Sequence, residues 1–161
     1  MTVTSLDKDL DNLSFTLVAD FDAPIERVWL LWADPRQLER WWGPPGYPAT
    51  VEQHDLTPGG EVTYFMTGPE GDKHHAWWRV TSVNPPKCLE FIDGFAHQDG
   101  TPNADMPTTT THVALSEHEG GTRMELRSVF DSREQMDQLL TMGMDEGIKL
   151  AVGQMDALLV A

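Results

Sequence analysis

Hydrophobic and polar positions alternate through most of the chain and fall into a helical period only at two places. From Ser14 to Phe21, Phe15, Leu17, Ala19 and Phe21 alternate with Ser14, Thr16, Val18 and Asp20, which predicts a strand with one wet face. Asp22-Ala23-Pro24 then sets a capping residue and a proline ahead of Ile25, Val28, Trp29 and Trp32, the opening of a short helix. Asp34-Pro35-Arg36-Gln37 repeats the device, with Gln37 placed to reach back to the cap. This second helix must end at Trp41-Trp42-Gly43-Pro44-Pro45-Gly46, where the glycines and prolines forbid its continuation. Four strand-like runs follow, Thr50 to Asp55, Glu61 to Thr67, His74 to Val83 and Cys88 to Asp93, separated by turn-forming residues that favour an antiparallel meander. Gly94 to Met106 is a polar loop longer than most connectors, for which a lid over an opening is one explanation. Pro107 to Ser116 and Thr122 to Phe130 complete the strands, joined at Glu119-Gly120-Gly121.

The last stretch, Ser132 to Val160, changes period. Met136, Leu140, Gly143, Gly147, Ala151 and Leu158 form one broad stripe, flanked by Leu139, Met144, Ile148 and Met155. Gln138, Asp145, Lys149 and Asp156 mark the opposite, polar face. Ser132 caps this helix and Gln135 completes a capping box. At 1.5 Å per residue one continuous helix here is roughly 40 Å long, enough to lie across a whole sheet. Two glycines in the buried stripe each cost about 1 kcal/mol against alanine, so they are expected to provide space or close backbone approach.

These elements predict an α+β fold: a curved antiparallel seven-stranded sheet gripping a long C-terminal helix, with two short helices after the first strand. Residues 1–13 are read as an acidic lead and residues 14–161 as a single domain. Strand parity turns Val62, Tyr64 and Met66, Trp78 and Val80, Leu89 and Phe91, Val113 and Leu115, Met124 and Leu126 toward the helix. A hollow is expected between the two.

Composition narrows the function. The chain has 161 residues, with 26 acidic against 11 basic and a formal charge of −15. That balance repels phosphate backbones and anionic lipid, so neither nucleic acid nor membrane is expected as a partner. Cys88 is the single cysteine, leaving no intramolecular disulfide to form. The longest apolar run is Val28 to Ala33, and no basic leader precedes an apolar segment. A cytoplasmic location is the expectation.

Five segments carry a resemblance to a known family: Phe21 to Gly46, Leu56 to Asp72, Val83 to Phe91, Glu119 to Leu126 and Gly143 to Val160. In that order and spacing they resemble the family named for homology to the activator of the 90-kDa heat-shock protein's ATPase, within the START-like (SRPBCC) helix-grip superfamily. The resemblance implies the helix-grip fold and a pocket for a hydrophobic guest. Many members carry a tryptophan after the second glycine of the last helix, where Ile148 stands here. The eukaryotic co-chaperone adds an N-terminal chaperone-binding domain, for which this chain has no room.

The expected ligand-binding residues are Trp41, Trp42, Tyr64, Met66, Trp78, Phe91, Leu140, Met144 and Ile148, an apolar lining suited to a small hydrophobic molecule. No catalytic residue is assigned. Glu90 and Asp93 enter the hollow only if the parity of their strand differs from the assignment above. His54, His74, His75, His97, His112 and His118 have no ligand spacing, so no metal and no cofactor are expected. Two other functions stay open. One is an enzyme of the same superfamily, a cyclase, dehydratase or hydrolase on a bulky apolar substrate, which needs at least two polar or titratable side chains converging inside. The other is a chaperone-associated stress-response factor. A homodimer and a chaperone contact are the further partners considered.

Overall fold

In the computed structural model, which describes residues 3–159, a single antiparallel sheet forms the body of the protein and helices cover its concave face. The elements in order are β1 (Val3–Asp9), β2 (Ser14–Phe21), α1 (Ile25–Ala33), α2 (Pro35–Leu38), β3 (Ala49–His54), β4 (Glu61–Thr67), β5 (Lys73–Asn84), β6 (Cys88–Phe95), β7 (Thr109–His118), β8 (Gly121–Phe130), α3 (Arg133–Thr141), α4 (Met144–Val152) and α5 (Met155–Leu159). The strand order is β1-β2-β8-β7-β6-β5-β4-β3. Every neighbouring pair is antiparallel.

The sheet has eight strands, where alternation in the sequence predicts seven. The extra strand, β1, lies within the acidic lead and pairs with the outer edge of β2. An edge strand draws its order from backbone hydrogen bonds and buries little, so a polar stretch such as Val3–Asp9 carries almost no hydrophobic signal. Only Val3 and Leu6 of it pack on the core. Register shifts in β3 and in β5, between Val80 and Ser82, bend the strands farthest from β1 and cup that half of the sheet.

The C-terminal stretch is not one long helix. Gly143 takes φ +86°, a conformation open to glycine, and there α3 stops and α4 begins. A second interruption at Gly153 separates α5, and Val160 lies outside the described residues. Ser132 accepts from the Gln135 backbone N–H, as its cap position predicts. The break resets the helical phase. Asp145, placed on the polar face by unbroken periodicity, is only 4% exposed, and Lys8 of β1 pairs with it at 2.9 Å. Burial raises the pKa of this carboxyl, but the Lys8 hydrogen bond and a neighbouring backbone N–H outweigh that and leave it lowered.

Met136, Leu139, Ala151, Val152 and Met155 are the buried residues of the helices' apolar side. They close over the inward faces of β2 and β8, where Phe15, Leu17, Met124 and Leu126 are fully buried. At the other half, Trp32, Trp41, Trp42, Tyr64, Trp78 and Phe91 form an aromatic block. Trp78 stacks on Phe91 at 3.9 Å and 12°. Trp32 meets the edge of Trp41 at 4.7 Å, and Trp42 that of Trp78 at 5.0 Å.

Candidate ligand cavity

A cavity of about 240 Å³ lies between the inward faces of β4 to β6 and the α3–α4 junction. It opens where the helix breaks. Met142, 56% exposed, stands at the rim with Pro44 and Phe95, and Gly143, Met144, Gly147 and Ile148 form the wall above. The two glycines have different roles. Gly143 supplies the left-handed turn, whereas a Cβ built on helical Gly147 would have no atom within 4 Å. Gly147 therefore keeps the roof of the cavity clear.

Of the side chains expected from the sequence, Trp42, Tyr64, Met66, Met144 and Ile148 line this space. Trp41, Trp78, Phe91 and Leu140 do not. Trp41 is fully buried and donates its indole N–H to the Leu31 carbonyl at 2.8 Å, which fastens it into the core beneath α1. Trp78 and Phe91 are spent on each other as a stacked pair. Leu140 packs on the core, and its neighbour Leu139 is the residue of α3 that lines the cavity. β6 runs on through Gly94 and Phe95, which line the cavity as strand residues, and Pro107 is the residue of the loop between β6 and β7 that joins them.

The lining also holds Asp93, a residue expected there only with a different parity of its strand. It continues the face of Leu89 and Phe91 at a spacing of two residues. Its ladder partners are Trp78 on β5 and Thr109 on β7, with Trp78 and Thr109 buried in the same face. The parity already assigned to Leu89 and Phe91 was the signal for it; no change of register is needed, and Glu90 is the residue that points away. Behind Asp93, the Thr111 hydroxyl donates to Oδ1 at 3.4 Å, and Ser128 stands 3.4 Å from Thr111.

The electrostatics follow from this setting. The surface that Asp93 retains faces the cavity, whose apolar walls hydrate a carboxylate poorly. Burial pushes its pKa from 3.8 to about 7, against the opposing pull of the Thr111 hydroxyl and its own backbone N–H. Tyr64 is moved in the same direction, well above the ordinary phenol value, first by burial and then by the nearby Asp93 charge. The indole N–H groups of Trp42 and Trp78 lie close enough to the Tyr64 hydroxyl to oppose that rise, yet neither closes a hydrogen bond. Both remain buried donors without a partner, an uncommon and costly condition. No cluster of His, Cys, Asp and Glu suited to a metal ion occurs among the described residues. Cys88 is exposed. No helix among them is long and apolar enough to cross a membrane.

Residues 22–160 match the family model described as Activator of Hsp90 ATPase homolog 1-like protein. Among solved structures, the chain is similar to a protein from Arthrobacter aurescens at 51% identity and a TM-score of 0.95, over 99% of this chain and 92% of that one. A protein from Mycobacterium smegmatis is similar at 50% identity and a TM-score of 0.90, over 98% and 96%. One from Staphylococcus epidermidis, at 24% identity and a TM-score of 0.84 over 97% and 93%, shares the fold. A comparison with curated proteins gives no match.

Proposed function

Because the chain belongs to the Activator of Hsp90 ATPase homolog 1-like family, and so is a START-like helix-grip domain, we propose that it binds a small, largely apolar molecule in the hollow beneath the α3–α4 junction. The observation that carries this reading is the open space under Gly147, walled by Trp42, Tyr64, Met66, Met144 and Ile148. Trp41, Trp78, Phe91 and Leu140 support those walls from behind. A well-packed core has few voids larger than a water molecule. A cavity of about 240 Å³ with an apolar lining exceeds the about 150 Å³ that suffices for benzene, and is of a size for a guest of one or two rings. The proposal is tested by thermal melting against a panel of small aromatic and aliphatic compounds. A true ligand raises the melting temperature in proportion to the logarithm of its concentration; a panel with no such compound defeats the reading.

A second reading, an acid-base enzyme on an apolar substrate, is favoured by the presence of two titratable groups, Asp93 and Tyr64, in the lining. A carboxyl whose pKa is near neutrality can exchange a proton with a bound molecule at either side of pH 7. Under this reading Asp93→Asn retains binding and abolishes turnover. A ligand recovered chemically unchanged after prolonged incubation with the protein would leave the binding reading alone.

A further inference from the structure

We propose that Tyr64 and Asp93 form a donor pole at the floor of the cavity that seats the carbonyl oxygen of a planar, otherwise apolar ligand of one or two rings. The inference rests on the binding reading above and adds the chemistry of the ligand's polar end. Its basis is an excess of donors. The Thr111 hydroxyl occupies Oδ1 of Asp93, and Ser128 supports Thr111 from behind. That arrangement leaves Oδ2 as the oxygen to carry the proton of a neutral carboxyl, directed into the lining. Two unpartnered indole N–H groups, from Trp42 and Trp78, face the oxygen of Tyr64. With these dipoles behind it, the Tyr64 hydroxyl turns its own proton away from them. Both acidic hydrogens thus converge on a space whose remaining lining is mostly apolar, and an acceptor oxygen is the chemical group they fit.

The charges around Asp93 agree with a neutral carboxyl. Tyr64, from β4, is the one titratable group facing it among the described residues. The parts of β5, β7, β8 and both helices turned toward it present apolar or hydroxyl side chains and no cation. With its pKa at about 7, Asp93 is predominantly protonated below neutrality and donates. Above neutrality it ionises and repels an acceptor.

Three isosteric probes test this on the intact protein: 2-acetylnaphthalene, 2-isopropylnaphthalene and 1-(2-naphthyl)ethylamine, titrated by calorimetry on both sides of neutrality. The ketone is expected to bind about tenfold or more tightly than the hydrocarbon below pH 6, the difference one or two hydrogen bonds make. That preference is expected to shrink as the pH rises through 7. Tyr64→Phe reduces the preference while hydrocarbon binding persists, and Asp93→Asn, which retains an N–H donor, keeps it and removes its pH dependence. Equal affinity for ketone and hydrocarbon overturns the donor pole and leaves the cavity reading intact. Tighter binding of the ammonium probe, growing with pH, overturns it in favour of an ionised Asp93 that binds cations. Failure of all three probes to bind removes the cavity reading and this inference together, and the hydrocarbon arm separates that case from the first.

Discussion

The two halves of the concave face solve the same packing problem in opposite ways. Over β2 and β8 the helices bring Met136, Ala151, Val152 and Met155 down onto Phe15, Leu17, Met124 and Leu126, and the buried polar side chains of that face of β8, Thr122 and Ser128, are neutral hydroxyls that each have a hydrogen-bond partner. Over β4 to β6 the same C-terminal stretch offers Gly143 and Gly147 instead, and the sheet offers Asp93 and Tyr64. One half spends its surface on stability. The other leaves a cavity, an ill-hydrated carboxyl and three unpartnered indole donors, those of Trp32, Trp42 and Trp78, each destabilising by itself. Features that weaken a fold and cluster at one place point to a site, since a core free of function would fill the space.

The comparison is sharpened first by truncation on the packed side. Leu17→Ala should cost about 2–5 kcal/mol in urea unfolding, because the site is fully buried and cannot relax. Met66→Ala, half-buried on the cavity wall, should cost far less. Similar losses at the two positions would mean that the hollow is as rigidly packed as the opposite half.

Next in size is the pH effect at Asp93. Folding raises its pKa from 3.8 to about 7, so between those values the folded state holds more protons than the unfolded one. The stability this confers is complete below pH 3.8 and is lost as pH rises through about 7. Asp93→Asn should therefore be the more stable protein at pH 8, by up to about 4 kcal/mol, and the advantage should vanish near pH 4. Parallel stability curves for the two proteins from pH 4 to 8 would contradict the assigned environment. Asp145 works with the opposite sign. Its lowered pKa means that its contribution is present at neutrality and lost as pH falls. Asp145→Ala should cost about 1–2 kcal/mol at pH 7 by chemical denaturation, with hydrogen exchange accelerated in β1, which Lys8 ties to α4.

The smallest effect on stability is the most informative about the hollow. Gly147→Ala replaces a poor helix former where a methyl group meets nothing, and should raise stability by about 1 kcal/mol. It should also weaken the thermal shift given by a bound ligand, because the methyl enters the guest's volume. A variant that gains stability without losing ligand binding would place the guest elsewhere.

Legibility from the sequence followed the strength of the hydrophobic signal. β2 and β4 to β8 alternate over seven residues or more, and those periods locate them within a few positions. β1 buries too little to alternate, so only hydrogen bonding to the β2 edge reveals it. In the C-terminal stretch, the periodicity of apolar side chains persists through Gly143 although the backbone there has changed hand. Sequence spacing could not report that turn, and Asp145 was therefore placed on the wrong face. At the site, Trp42, Tyr64, Met66, Met144 and Ile148 were accessible because large apolar residues of the right parity are easy to count. Asp93 is accessible by the same parity, two residues beyond Phe91, once it is separated from Glu90, which has the opposite one.

By itself, then, the order of residues determined the strand meander, the two early helices, the closing helical stretch and the family, because each depends on local periodicity and on turns that glycine and proline impose. Tertiary structure decided which of the inward aromatics stack on one another and which face open space, since that depends on where the broken helix comes to rest across the cupped sheet. It also decided the character of Asp93, for the proton affinity of a carboxyl is set by the water and dipoles that surround it, and those come from β5, β7, β8 and the helix junction rather than from its neighbours in the chain.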